Sequence, residues 1–217
     1  MKTDKKFHSV VLASAALILF LILISSTVSA ATVQSASTTA PCAYITNRYS
    51  NSVSVIDTAT NTVKATVDVG SNPFGVAVNS ARTKAYVTNL YDENDASALS
   101  EKIATKSALS TKTEEHIATG EGTVSVIDMS TNTVTATVTV GIEPYGVAIT
   151  PDGTKVYVTN MGSNTVSVID AETNTLIATV PVEYDPCGIA ITPDGTKAYV
   201  VNEFGGTVSV IDTATNT

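Results

Sequence analysis

The 217-residue chain has no tryptophan, two histidines, two cysteines and only 15% charged residues. One of the histidines, His8, lies in the apolar amino-terminal segment, which leaves His116 as the single imidazole elsewhere. One base cannot furnish a Ser-His-Asp set or a Cys-His pair, and one His is too few for a zinc site. No N-x-[ST] sequon occurs. Basic residues are scarce too. Taking residues 1–30 away removes three Lys and one Asp and leaves 9 basic and 19 acidic residues, a net charge of −10. So acidic a surface makes nucleic acid an unsuitable partner and favours solubility outside a cell.

What is present is a repeat. A unit reading A-Y-V-T-N, T-V-S-V-I-D, T-N-T-V-T-A-T-V-x-V-G and P-x-G-V-A-I-T-P-D-G-T-K recurs from Ala43 onward. Tyr44 to Tyr86 spans 42 residues, as do Tyr157 to Tyr199, Asp128 to Asp170 and Asp170 to Asp212. Tyr86 to Tyr157 is 71, so 29 extra residues lie between Asn89 and Thr123, where the third copy has only Met161–Asn164. Within each unit, stretches such as Thr133-Val134-Thr135-Ala136-Thr137-Val138 alternate apolar and polar residues with period 2, the pattern of a two-faced strand. Asn, Asp, Gly and Pro fall between the stretches, where turns are needed. Four strands in about 42 residues is the arithmetic of a propeller blade rather than a helical solenoid.

The motifs Tyr86-Val87-Thr88-Asn89 and Tyr157-Val158-Thr159-Asn160, with the variants Tyr44-Ile45-Thr46-Asn47 and Tyr199-Val200-Val201-Asn202, resemble the YVTN family of β-propeller repeats found in archaeal and bacterial surface-layer and other secreted proteins. The resemblance covers residues 43–217 and implies an all-β propeller of four-stranded antiparallel blades. It places the innermost strands at Gly75–Val78, Gly146–Ile149 and Gly188–Ile191, the YVTN strand second, the S-V-I-D strand third and the T-A-T-V strand outermost. Strands then run three, four, four and three per blade, about 3.5 blades in all, which is an incomplete ring. Closure needs roughly four to eight blades, so further blades or a second copy are expected to complete it. Pro151-Asp152-Gly153 and Pro193-Asp194-Gly195 suit a tight hairpin, whereas Asn79–Lys84 lacks both Pro and Gly and predicts a looser or different turn.

The ends differ from the repeat. Lys2, Lys5 and Lys6, the apolar run Val10–Ile24 and the small residues Val28-Ser29-Ala30 predict a secretory signal over residues 1–30, with an uncleaved membrane anchor as the alternative. Residues 31–42 read as an Ala/Ser/Thr-rich leader to the propeller at 43–217. Cys42 and Cys187 fall at opposite ends of the strand direction, so no bridge is expected between them. Cys187 stands where other copies have Phe74 and Tyr145, and reads as a small buried apolar residue.

Residues required in every copy are structural in this reading. Asp57, Asp128, Asp170 and Asp212 can accept N–H bonds from the Thr-Asn-Thr hairpins that follow them, and Asn47, Asn89, Asn160 and Asn202 can satisfy loop backbone groups. Function is expected where copies differ, above all in the stretch at 90–122. It carries Tyr91, Asp92, Glu93, Asp95 and His116, with a short helix expected around Ala96–Ala108 capped by Asp95. In a propeller this connection overhangs Phe74, Glu143, Tyr145 and Asp185, and these nine residues are the candidate binding set. The carboxylates lack the spacing of a coordination loop, so no metal is expected. Propeller enzymes that the family distantly resembles bind quinone, haem or a metal, using Trp, several His or a carboxylate cluster; no cofactor is expected here. The reading is a non-catalytic, secreted cell-surface module, with a fragment of a quinoprotein-like oxidoreductase or lactonase-like hydrolase as the alternative. Its partners would be cell-envelope proteins or surface glycans, or further copies through the open propeller edges, and a membrane only if the amino terminus stays uncleaved.

Overall fold

The alternating stretches form fourteen strands in four antiparallel sheets. The computed structural model describes residues 41–91 and 120–217. The first sheet holds β1 (Cys42–Asn47), β2 (Ser52–Asp57) and β3 (Thr62–Asp68). The second holds β4 (Ser71–Val78), β5 (Lys84–Tyr91), β6 (Glu121–Asp128) and β7 (Thr133–Ile142). In the third, β8 (Pro144–Ile149), β9 (Lys155–Asn160), β10 (Thr165–Asp170) and β11 (Thr175–Pro181) repeat the order. The fourth contains β12 (Pro186–Ile191), β13 (Lys197–Asn202) and β14 (Thr207–Asp212). Each sheet is a meander in chain order, and β4, β8 and β12 stand side by side as the inner strands, with β1 beside β4. This is the expected all-β propeller architecture, as an open arc of three, four, four and three strands. The expected signal, most of the leader, and the insertion over 92–119 with its helix lie outside the described residues.

The repeat shows in detail as well as in outline. The pairing of third with outer strand shifts register at Val55/Ile56, at Val126/Ile127 and at Val168/Ile169, one bulge at the same place in three blades. Asp57 Oδ1 accepts the N–H groups of Ala59 and Thr60 at 2.8 and 3.2 Å. Asp128, Asp170 and Asp212 make the same pair of bonds in their own hairpins. The turns close through Asn61, Asn132, Asn174 and Asn216, all left-handed with φ between 55° and 59°, a conformation Asn tolerates better than most residues.

Blades adhere through one recurring junction. The forward face of the second blade, with Tyr86, Val124 and Val126 fully buried, meets Val156, Val158 and Ile169 of the third. Tyr157, Val166 and Val168 meet Ala198, Val200 and Ile211 of the fourth in the same way, and Tyr44, Val53 and Val55 meet Ala85, Val87 and Ile127 of the second. Burying side chains of this size stabilises by roughly 1.5–3 kcal/mol each. Polar staples fix the angle. The Thr88 hydroxyl accepts from Gly75 N–H at 2.8 Å and donates to the Tyr145 carbonyl of the next blade at 2.9 Å. Thr159 repeats this between Gly146 N–H and the Cys187 carbonyl, and Thr46 donates to the Phe74 carbonyl. The inner strands approach so closely that a Cβ on Gly75 would lie 2.5 Å from the Tyr145 oxygen, and one on Gly146 2.4 Å from the Cys187 oxygen.

Two expectations are corrected. The YVTN-type asparagines bond to side chains and not to loop backbone: Asn89 donates to Thr123 and Ser125, and Asn160 to Thr165 and Ser167, across to the third strand. The hairpin at Asn79–Lys84 is not looser. Its Asn79 N–H to Lys84 and Arg82 N–H to Asn79 bonds match those of Thr150–Lys155, because Arg82 takes the left-handed place of Gly153 and the Asn79 amide oxygen accepts from Thr83 and Lys84.

A left-handed Arg costs about 1 kcal/mol against Gly, so Arg82→Gly is expected to raise the unfolding free energy by roughly 0.5–1 kcal/mol in chemical denaturation. Thr159→Val leaves the Gly146 N–H and the Cys187 carbonyl without their hydroxyl and is expected to lower stability by about 1–3 kcal/mol in the same measurement.

Candidate functional site

Strand pairing sets which loops share an end. Ser71 pairs with Tyr91 and Pro73 with Asn89; Pro144 pairs with Asn160 and Pro186 with Asn202. The starts of the inner strands and the ends of the second strands therefore lie at one end of the sheets. Phe74, Tyr91, Glu143, Tyr145 and Asp185 all belong to that end. Asp92, Glu93, Asp95 and His116 lie outside the described residues.

Of the described residues, Phe74 and Tyr145 come together: their ring centroids are 3.8 Å apart at an interplanar angle of 34°. They are half-buried neighbours on β4 and β8. Cys187 takes the third place of that row on β12, where it is half-buried rather than buried, and its Sγ lies 3.7 Å from the Val201 carbonyl. Neither it nor Cys42 is in a disulfide.

Tyr91, in the described start of the insertion, forms a second focus. Its phenol is held above its ordinary ionisation range first by burial and then by the Glu143 carboxylate, while Arg48 opposes both. A carboxylate and a cation, from the blades on either side, thus both act on this phenol. Glu143 is 5% exposed and left-handed, with φ 53°. The other copies put Asn72 and Asp185 at this position, both with the same sign of φ. A Glu there carries a backbone cost that Asn and Asp escape more cheaply. The Asn72 and Asp185 N–H groups donate to Asn51 and Asn164 Oδ1, at 3.0 and 2.9 Å.

Arg48 is the residue that sequence reasoning missed. It follows the first Y-x-T-N motif, where the other copies have Leu90, Met161 and Glu203, and a comparison of the copies at this position was the available signal. Its guanidinium carbon sits 5.9 Å from the Tyr49 ring centroid, and its Nε is buried without a hydrogen-bond partner. Among the described residues no group of three or more His, Cys, Asp or Glu is placed to hold a metal ion. No helix among them is long and apolar enough to cross a membrane.

Sheets of this order, stacked by their inner strands, define a β-propeller. The chain belongs to the YNCE-like beta-propeller family, whose model matches residues 78–213. Among solved structures it is similar to the hydrazine synthase of Kuenenia stuttgartiensis, with 26% identity and a TM-score of 0.63 over 81% of this chain. It spans 44% of that protein's chain. No curated protein matches. Solved chains that match number 961, so the fold is widely shared and brings no particular activity with it.

The hairpin carboxylates give this chain a pH signature. Hydrogen bonds hold Asp128, Asp170 and Asp212 below the ordinary carboxylate value, the Ser130 hydroxyl foremost for Asp128 and the Thr173 and Thr215 backbone N–H groups for the other two. A depressed folded value means stability that is present above the unfolded value, about 3.9, and lost as pH falls through the folded one. Tyr157 is pushed up to about 12, chiefly by burial. That contribution is complete below the unfolded value, about 10, and lost as pH rises toward 12. Chemical denaturation from pH 2 to 12 is expected to show a plateau with both flanks falling. In the Asp128→Ala/Asp170→Ala/Asp212→Ala variant the fall in stability below pH 4 is expected to be shallower than in the wild-type chain, the remainder coming in part from Asp152 and Asp194, which hydrogen bonds hold low as well.

Proposed function

We propose that this protein is a secreted, cell-surface propeller of the surface-layer type that binds a partner without catalysis, through the strand end bearing the insertion. The observation that carries the reading is the concentration of copy-specific residues there. Tyr91 feels both Arg48 and Glu143, and Phe74 packs on Tyr145, at an end where the other copies carry different residues. A pair of half-exposed rings at one strand end suits recognition of a protein surface or a glycan, the rings supplying contact area. Export is supported by the lysines, the apolar run Val10–Ile24 and the small residues at 28–30.

The likeness to an enzyme, hydrazine synthase, favours a second reading, in which the chain is part of a larger extracellular propeller enzyme. The two separate on the intact gene product: further near-identical blades support the surface module, whereas added His, Trp and carboxylates directed to the ring's centre support the enzyme.

Replacing residues 92–119 by a four-residue link like Met161–Asn164 should preserve the circular dichroism spectrum and reduce binding to isolated envelopes of the source cells by at least tenfold. Undiminished binding by the folded variant would sink the proposal.

A further inference from the structure

Of the three junctions between described blades, two are closed at the rim by an ammonium group. Lys84 Nζ donates to the Ala171 carbonyl and to Asn174 Oδ1 in the following blade's hairpin, at 2.6 and 3.2 Å. Lys155 Nζ donates to the Thr213 carbonyl and to Asn216 Oδ1, at 2.5 and 3.3 Å. A main-chain carbonyl and an amide oxygen both accept and neither donates, so the hairpin presents a small cation with a matched pair of oxygens. The hairpin carboxylate adds its charge. Asp170, held below the ordinary carboxylate range first by the Thr173 backbone N–H, is lowered by Lys84 as well.

The junction between the first and second blades has the same acceptors and no lysine. Its hairpin keeps the register of the next one: Met129 N–H donates to the Thr83 carbonyl and Asn132 N–H to that of Asp128, as Ala171 N–H does to Thr154 and Asn174 N–H to Asp170. Asn132 and Asn174 share a φ of 55°. The Met129 carbonyl and Asn132 Oδ1 therefore take the places of the Ala171 carbonyl and Asn174 Oδ1. Opposite them the lysine position is Cys42, whose side chain is shorter and carries no positive charge. Cys42 and Met129 both pack against the apolar cluster of this junction.

The consequence falls on the amide. Asn132 Oδ1 is buried without a hydrogen-bond partner, whereas Asn174 and Asn216 Oδ1 each accept from a lysine. A buried acceptor in that condition costs stability that a bound cation would restore. The field there is negative too, since Asp128 helps to raise the Tyr44 phenol, after burial and Cys42. The neighbouring sequence brings no substitute. No Lys or Arg occurs between Lys6 and Arg48, and Arg48 follows the far end of β1 from Cys42. Ser130 and Thr131 of the hairpin are exposed, so a small movement of a surface turn admits an ion to the oxygen.

We propose that the Met129 carbonyl and Asn132 Oδ1, beside the Asp128 carboxylate, bind a free monovalent cation of ammonium size, ammonium or potassium, in the place that a lysine ammonium takes in the next two junctions. The ion cements the first blade to the second. This inference is independent of the proposed surface role.

The test is urea denaturation of the full-length chain in nonionic detergent, at fixed ionic strength, in the chlorides of ammonium, potassium and tetramethylammonium. Tetramethylammonium has the charge but is too large and has no hydrogen to give. Ammonium or potassium is expected to raise the wild-type midpoint over tetramethylammonium by roughly 0.3 M. Cys42→Lys supplies its own ammonium group, so its midpoint should already be raised in tetramethylammonium and should not respond further. Asn132→Gly keeps a residue that tolerates the left-handed turn and removes the amide oxygen, and should lose the response. Equal wild-type midpoints in all three salts would overturn the proposal. So would a response that survives in Asn132→Gly, which marks a general salt effect, or one that survives in folded Cys42→Lys. Where Cys42→Lys does not fold, Asn132→Gly decides.

Discussion

The junction between consecutive blades is the constraint on which everything else in this structure depends. A single sheet of three or four short strands with one apolar face toward each neighbour cannot bury both faces by itself. The buried tyrosine of the second strand and the two valines of the third fill a neighbour's Ala/Val/Ile surface, while the threonine between them ties two inner strands together through one hydroxyl. Turn geometry then follows from packing. The Asp-to-N–H bonds and the left-handed Asn of each rim hairpin present a carbonyl and an amide oxygen where the preceding blade's lysine and tyrosine arrive.

Most of this order was legible before any coordinates. Period-2 alternation identified the strands, the 42-residue period identified the blade, and the strand count per sheet came out as expected because each chain segment pairs only with its sequence neighbours. The misreadings share one cause. Asn79–Lys84 looked looser for want of Pro and Gly, yet a tertiary environment that demands the same hairpin held Arg82 in the left-handed region and recruited Asn79 to do what a threonine hydroxyl does elsewhere. Likewise the motif asparagines reached across the sheet to Ser and Thr hydroxyls, a choice that depends on strand register, which composition does not specify.

The candidate site was legible to a lesser degree. Turn-preceding prolines and the place of the insertion were enough to put Phe74, Tyr91, Glu143, Tyr145 and Asp185 at one end of the strands. Which of them touch was not readable, since the Phe74–Tyr145 approach is set by the spacing of two inner strands contributed by different repeats. Arg48 escaped notice because its neighbour Tyr91 is 43 residues away in sequence, one repeat plus one position, and only the curvature of the arc brings them into electrostatic range.

The glycines of the inner strands carry a further consequence. At Gly75 and Gly146 the neighbouring backbone lies nearer than any side chain would permit, so the spacing of blades is set by main chain against main chain. Apart from the threonine staples, side chains at the strand ends then have no part in setting the curvature. A lineage of such proteins can exchange the rings, charges and insertions of its binding end freely, repeat by repeat, while the radius of the ring, and with it the width of whatever opening the ring encloses, stays the same.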